Sequence, residues 1–309
     1  MLAVRFALFR LLVRRALLTF GGERDQMQLV TFQNNGSAEP GALVDGTVVG
    51  LKAAGFPSLL SLIEGGKDAL TRAKEWVKNP PAEQVIPLAK VKLLAPLPRP
   101  PKIICIGLNY RDHALECKAE IPKVPTVFSK YTTAIIGPGE AIVLPKNSKQ
   151  PDYEAEFAVV IGKGGRHIPQ DRWREHVFGY TNHNDVSARD VQEATSQWMM
   201  GKTFDTFAPM GPAIVTADEI PDPQAVDIQL IINGEVLQSS NTSQMVFGIG
   251  YLIEHLSSVF TLEPGDVIST GTPGGVGEAK TPPRWLRPGD QVVVRIAGIP
   301  ELRSEVKAE

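Results

Sequence analysis

Apolar and polar residues alternate with a period of two along much of this chain, which predicts strands rather than helices. From Met27, MQLVTF reads as a first strand. ALVDGTVVGL, over 42–51, reads as a hairpin turning at Asp45-Gly46. Two helices are expected next. One is LLSLIE, capped by Ser58 and stopped at Gly65-Gly66; the other covers 68–77 and ends at Asn79-Pro80-Pro81. Seven prolines between 79 and 101 predict an extended connection, with a domain boundary near Leu97. Further strands are expected at 103–106, 126–130 and 178–184, and a helix at 111–120. A Gly-rich hairpin follows 160, and a short helix is expected at 173–177. Residues 227–237 alternate around Asn233-Gly234, a hairpin signal. A helix at 250–259 and a closing strand at 291–296 complete the pattern. Two similar turns, at Glu263-Pro264-Gly265-Asp266 and Arg287-Pro288-Gly289-Asp290, each feed a strand.

Residues 1–26 break this pattern. Residues 1–20 carry Arg5, Arg10, Arg14 and Arg15 and no acid, and the arginines interrupt every apolar run well short of a membrane span. Such a segment suits mitochondrial targeting. It also suits a start codon assigned too early: Gly21-Gly22-Glu23 is encoded by a purine-rich run three codons before Met27, as a bacterial ribosome-binding site would be. Residues 1–26 are therefore set apart from the fold. The two readings imply a mitochondrial matrix protein or a cytoplasmic bacterial one.

Composition adds exclusions. Apolar residues are 43% and charged residues 21% of 309, enough for a full core, and a net charge of −2 gives no reason to expect nucleic acid or an anionic membrane as partner. Two cysteines, Cys105 and Cys117, give neither a disulfide framework nor a metal spacing, and each is expected as a small core residue rather than as a reactive thiol.

The chemistry is concentrated around PDYEAEFAVV, 151–160. As a strand it sends Tyr153, Ala155 and Phe157 to one side and Glu154 and Glu156 to the other. Two carboxylates so placed can share a hard divalent cation, Mg²⁺, Mn²⁺ or Ca²⁺, although a bare E-x-E also suits a solvated strand face. His113 and Glu116 stand three apart on the expected helix 111–120, as a general-base pair or as a surface salt bridge. NDVSARDVQ crowds Asp185, Arg189, Asp190 and Gln192 together, and Lys202 follows in GKTFD. The loop GTPGGVG, 271–277, can present backbone N–H groups to an anion. It lacks a P-loop's Gly-Lys-Ser/Thr and suits a substrate carboxylate better than a nucleotide.

Taken in order, GLNYRDHALE, DYEAEFAVVIG, NDVSARDVQ, GKTFDTFAPMGP and GDVISTGTPGGVG resemble the fumarylacetoacetate hydrolase superfamily. The resemblance runs from Lys102 to the C-terminus and is strongest to the two-domain branch of acylpyruvate hydrolases, oxaloacetate decarboxylases and oxaloacetate tautomerases. It implies an α+β, β-rich fold: a mixed β-roll over 97–309 behind a small N-terminal α/β domain over 27–96, in a homodimer. It implies Mg²⁺ or Mn²⁺ held by Glu154, Glu156 and Asp185, with Lys202 beside the metal. His113 and Glu116 would activate water from a lid helix, and Gln192 would position the reacting group. Thr272, with Gly271, would hold the substrate carboxylate, and Arg189 would bind substrate or support the metal ligands. Glu278 departs from the family, which usually has an apolar or aromatic residue there; it is expected on the pocket rim, touching no ligand.

The substrate implied is a 2-oxo acid, either oxaloacetate or a 2,4-dioxo acid such as an acylpyruvate. Enolate stabilisation then serves hydrolysis, decarboxylation or keto–enol tautomerisation. Ureidoglycolate lyase and muconate isomerase chemistry are alternatives. A catalytically silent β-roll binding protein is the non-enzyme alternative, which loss of a metal ligand or of Lys202 would signal. No such position is lost.

Overall fold

The computed structural model describes residues 27–309; the leader reading of 1–26 lies outside them. A twelve-stranded mixed sheet runs through the molecule. From one edge its path takes Val85–Pro87, Thr47–Gly50, Ser37–Val44 and Gln28–Asn34, and then Ala208–Thr216, Val177–Asn184 and Ala155–Ile161. It ends on Val267–Ser269, Ile103–Gly107 and Thr126–Ser129. A five-stranded sheet faces it, built on Asp227–Ile232, Glu235–Asn241, Gln291–Ile296, Leu302–Ala308 and Ile142–Leu144.

Strand Ala155–Ile161 is buried on both faces. Phe157 and Val159 enter the core shared with Leu230, Val292 and Val294 of the smaller sheet. Ala158 and Val160 enter a second core, under the helices Leu59–Glu64 and Gly66–Lys78. The N-terminal strands belong to the same large sheet, with Gln28 opposite Val215, and Leu29 lies in the same core as Val160. No helix among the described residues is long and apolar enough to cross a membrane.

Two of the three expected hairpins form where their turns predict them; the Gly-rich one after 160 does not, since Ala155–Ile161 pairs with Val177–Asn184 across a long connection whose one helical turn is Gln170–Glu175, not 173–177. Asp45-Gly46 and Asn233-Gly234 all take positive φ, as the tight two-residue turn requires. Ser58 caps its helix by accepting from Ser61 N–H in a capping box. Each Pro-Gly-Asp turn closes in the same way, Asp266 accepting from Glu263 N–H at 2.8 Å and Asp290 from Arg287 N–H at 2.9 Å.

Four more expectations are corrected. The proline-rich connection is not merely extended, because Val85–Pro87 and Lys92–Leu94 pair with the sheet. Residues 151–160 are not one strand: Pro151–Asp152 pairs separately with Ser187–Ala188, and the long strand starts at Ala155. The strand Gln291–Ile296 is not the last, since Leu302–Ala308 follows and pairs with it. The helix expected at 111–120 spans only Arg111–Glu116. Lys118 turns left-handed (φ 51°), Lys118 N–H bonds Leu115 O and Ala119 N–H bonds Ala114 O, a C-terminal motif normally built on glycine.

Candidate active site

Strand pairing assembles the site. Ala155 lies opposite Asn184 and Glu156 opposite His183, so Asp185, just past the end of its strand, arrives beside Glu154. The backbone N–H of Asp185 donates to Glu154 O at 2.9 Å. Glu154, Glu156 and Asp185 place one carboxylate oxygen each within 4.8 Å of one another, and exposures of 4%, 1% and 0% exclude a solvated strand face.

Two lysines and an arginine meet this charge. Lys202 Nζ donates to Glu154 Oε2 at 2.7 Å and to Asp185 Oδ2 at 3.0 Å, over the ring of Phe128. Lys130 Nζ is bonded to Asp185 Oδ1 and to Val186 O. Arg189 Nη2 stands 2.7 Å from Glu154 Oε1 and 2.9 Å from Asp152 Oδ2. Arg189 thus braces a carboxylate of the cluster from behind, and Gln192 Oε1 accepts from its Nη1 at 3.2 Å. Gly201 lets the short helices Arg189–Gln192 and Met199–Lys202 close: a Cβ there would lie 2.4 Å from Gln192 N. Glu278 reaches Arg189 Nε at 3.4 Å, one residue removed from Glu154.

The carboxylates are not equivalent. Against burial, Lys130 and Lys202 hold Asp185 well below its ordinary range. Against burial, Lys202 and Arg189 hold Glu154 low. Glu156 has no such cation: burial, then Asp185 and Glu154, push it well above its ordinary value. It accepts instead from Ser269 Oγ and from Gly271 N–H at 3.0 Å. Three buried oxygen ligands, one held up by its neighbours' negative charge, fit a hard divalent cation, which would remove that repulsion.

The helix Arg111–Glu116 carries the second group. His113 Nδ1 lies 2.8 Å from Glu116 Oε1 and 3.7 Å from Cys117 Sγ. Burial works against charge on the imidazole, but its contacts with Cys117 and Glu116 outweigh it and raise His113 to about 10. The helix is tied down before it starts. Asn109 donates to Thr270 O at 2.8 Å and to Phe247 O at 3.1 Å, and accepts from Phe247 N–H at 2.8 Å.

The glycine-rich loop corrects the reading of its anion. Gly271 N–H donates to Glu156, Gly274 N–H to Asp112 (3.3 Å), Gly275 N–H to Glu116 (2.7 Å) and Gly277 N–H to Asp152 (2.7 Å). These amides are engaged by the protein's own carboxylates, so the loop aligns ligands and dyad together. Thr272 Oγ1 donates to Ala155 O at 2.9 Å and accepts from Gln238 Nε2 at 2.8 Å.

Residues that sequence reasoning passed over are Lys130, Asp152, His183, Gln238 and Ser269. His183 Nδ1 lies 2.6 Å from Ser269 Oγ, which in turn donates to Glu156. Burial pulls His183 down to about 3, so it is neutral, with Nδ1–H as donor. Cys105 is a core residue as expected; Cys117 is exposed, which corrects that expectation.

The sequence profile described as Fumarylacetoacetate (FAA) hydrolase C-terminal matches residues 102–307. The chain is 45% identical over 280 residues to a mitochondrial oxaloacetate tautomerase of Rattus norvegicus (Fahd2a), covering 87% of this chain and 88% of the relative. It is 44% identical over 259 residues to the oxaloacetate tautomerase YisK of Bacillus subtilis (strain 168), covering 81% and 86%. Among solved structures, the maleylpyruvate hydrolase of Sphingobium sp. SYK-6, in complex with manganese(II) and pyruvate, superposes with a TM-score of 0.78 at 29% identity. That match covers 91% of this chain and 99% of the neighbour.

Proposed function

This chain belongs to the fumarylacetoacetate hydrolase family and is an enzyme of it, and we propose that it is a divalent-metal-dependent oxaloacetate tautomerase. The observation that carries the reading is the buried Glu154–Glu156–Asp185 cluster with Lys202 bonded to two of its members. A Mg²⁺ or Mn²⁺ ion held by those carboxylates supplies positive charge that stabilises the enolate of a 2-oxo acid. The maleylpyruvate hydrolase, solved in complex with manganese(II) and pyruvate, supports this choice of ion and substrate class. Lys202 contributes a fixed ammonium at the same place, buried, where its charge acts more strongly than in water. His113 moves the proton between carbon and oxygen, with Glu116 orienting its ring and Gly275 N–H orienting Glu116. Gln192 completes the site as the group that positions the reacting atoms, and Thr272, whose hydroxyl is engaged by Ala155 O and Gln238, fixes the loop beside it. Arg189 keeps Glu154 ionised and aimed.

Hydrolysis of 2,4-dioxo acids is the second reading. It is favoured by the same His113–Glu116 pair, which in that reaction takes a proton from water once the imidazole has released its own. The experiment supplies Mg²⁺ and follows the decay of oxaloacetate enol absorbance beside the cleavage of acetylpyruvate. Tautomerisation should be catalysed, and His113→Ala should lower it by about 10²–10⁴-fold. Cleavage of acetylpyruvate without tautomerisation of oxaloacetate would replace the first reading by the second.

The enzyme works as a homodimer in this proposal. Four of the eight exposed large hydrophobic side chains among the described residues, Ile121, Val124, Val127 and Tyr131, fall between 121 and 131, and Val127 is on an edge strand. A second copy covering this stretch would bury them, and a monomer in sedimentation velocity would refute it.

A further inference from the structure

Cys117 has no part in the chemistry proposed above, yet it stands beside the dyad. The helix Arg111–Glu116 ends just before it, so His113, Glu116 and Cys117 lie at i, i+3 and i+4, on one face. Their donor atoms, an imidazole nitrogen, a carboxylate oxygen and a thiol sulfur, all lie within 4.8 Å of one another. We infer that His113, Glu116 and Cys117 form a second metal site, suited to Zn²⁺ and similar borderline cations rather than to Mg²⁺.

Three features argue for it. The donor set is the first. The buried carboxylate cluster offers only oxygen, whereas nitrogen and thiolate sulfur select Zn²⁺ over Mg²⁺. Spacing is the second. Zinc bonds of about 2.0–2.3 Å in tetrahedral array separate donors by roughly 3.3–3.7 Å. Cys117 Sγ and His113 Nδ1 are already 3.7 Å apart. The 2.8 Å between His113 Nδ1 and Glu116 Oε1 must open, which a small turn of the Glu116 carboxylate about its Gly275-bound oxygen allows. Support and access are the third. Gly275 N–H holds the other oxygen of Glu116 at 2.7 Å, the kind of outer contact that orients a metal ligand. Cys117 is exposed, so an ion can enter from solvent, and water can fill the fourth position.

Binding there has a consequence for catalysis, and that consequence rests on the role proposed for the dyad. An ion on Nδ1 separates the imidazole from Glu116 and takes the ring out of proton transfer, while the buried carboxylates keep their own metal. Binding releases protons from the thiol and the imidazole, so it tightens as pH rises.

The experiment uses Co²⁺ as a spectroscopic stand-in for Zn²⁺, added to the full-length protein in saturating Mg²⁺. The expected result is a thiolate-to-cobalt charge-transfer band in the near ultraviolet, saturating at one Co²⁺ per chain and abolished by Zn²⁺. Cys117→Ser should lose the band with an unchanged far-ultraviolet circular dichroism spectrum, and Cys105→Ala should keep it. No band at stoichiometric Co²⁺, or a band that survives in Cys117→Ser, overturns the site. Stoichiometric Zn²⁺ should also lower oxaloacetate turnover in the wild type and spare Cys117→Ser. The band without that inhibition confirms the metal site and overturns the role given to His113.

Discussion

Replacing Lys202 by methionine separates the two tasks that its ammonium performs. Methionine keeps an unbranched side chain over the Phe128 ring and removes the charge. In metal-free protein this strips Glu154 Oε2 and Asp185 Oδ2 of donors at 2.7 and 3.0 Å, at sites 4% and 0% exposed. Breaking a buried ion pair on one side costs about 3–5 kcal/mol. Lys130 and Arg189 remain to share the charge, so the lower end applies here. At roughly 2 °C per kcal/mol for a chain of this length, the metal-free variant should melt about 6 °C below wild type. Mn²⁺ should restore most of that loss, because a divalent ion among the same carboxylates replaces the missing charge. It should not restore turnover: kcat should stay about 10²–10³-fold down, since the ammonium acts on charge that develops in the reaction. The assay is thermal unfolding with and without Mn²⁺, beside steady-state kinetics on oxaloacetate. Equal melting of the two metal-free proteins, or a rise in KM alone, would refute the reasoning.

Other outcomes follow from the same geometry. His183, held near 3 by burial, takes up a proton only on unfolding between pH 3 and its ordinary 6.5. The unfolded state therefore binds more protons in that window, and stability should fall on acidification by roughly 1.4 kcal/mol per pH unit from this group. Urea denaturation from pH 7 to pH 4 should show a shallower loss in His183→Asn than in wild type, and identical slopes would contradict the assignment. Gly275→Ala would put a Cβ 2.2 Å from Leu237 O at a φ of 105°, so the loop must shift. Because Gly275 N–H holds Glu116, the variant should lose dyad-dependent turnover while still binding Mn²⁺; unchanged turnover would mean that the loop does not align the dyad.

Much of the site was legible because strand parity is rigid. Glu156 lies on the strand and Glu154 just before its start, close enough for the alternation to carry over, and Asp185 follows directly after the strand that pairs with it. His113 and Glu116 were legible from helical spacing alone. The donors that hold these groups were not. Lys130 follows one short strand and Ser269 ends another, and nothing local shows that their side chains turn inward to Asp185 and Glu156. The glycine loop shows available amides but not which anion takes them, and four carboxylates of the chain itself do. The early end of the Arg111–Glu116 helix rests on Lys118 in a conformation where glycine is the usual signal. The proline-rich stretch looked unpaired, although proline is tolerated where Val85–Pro87 lies, at the sheet edge.

The central claim is that Glu154, Glu156 and Asp185 hold the divalent ion on which enolisation depends. The most direct test titrates Mn²⁺ into chelator-treated protein, reading bound metal by electron paramagnetic resonance and oxaloacetate tautomerisation on the same samples. Activity should be absent without metal and rise in proportion to one tightly bound Mn²⁺ per chain, and Asp185→Asn should lose both together. Full tautomerisation by the metal-free protein would contradict the account.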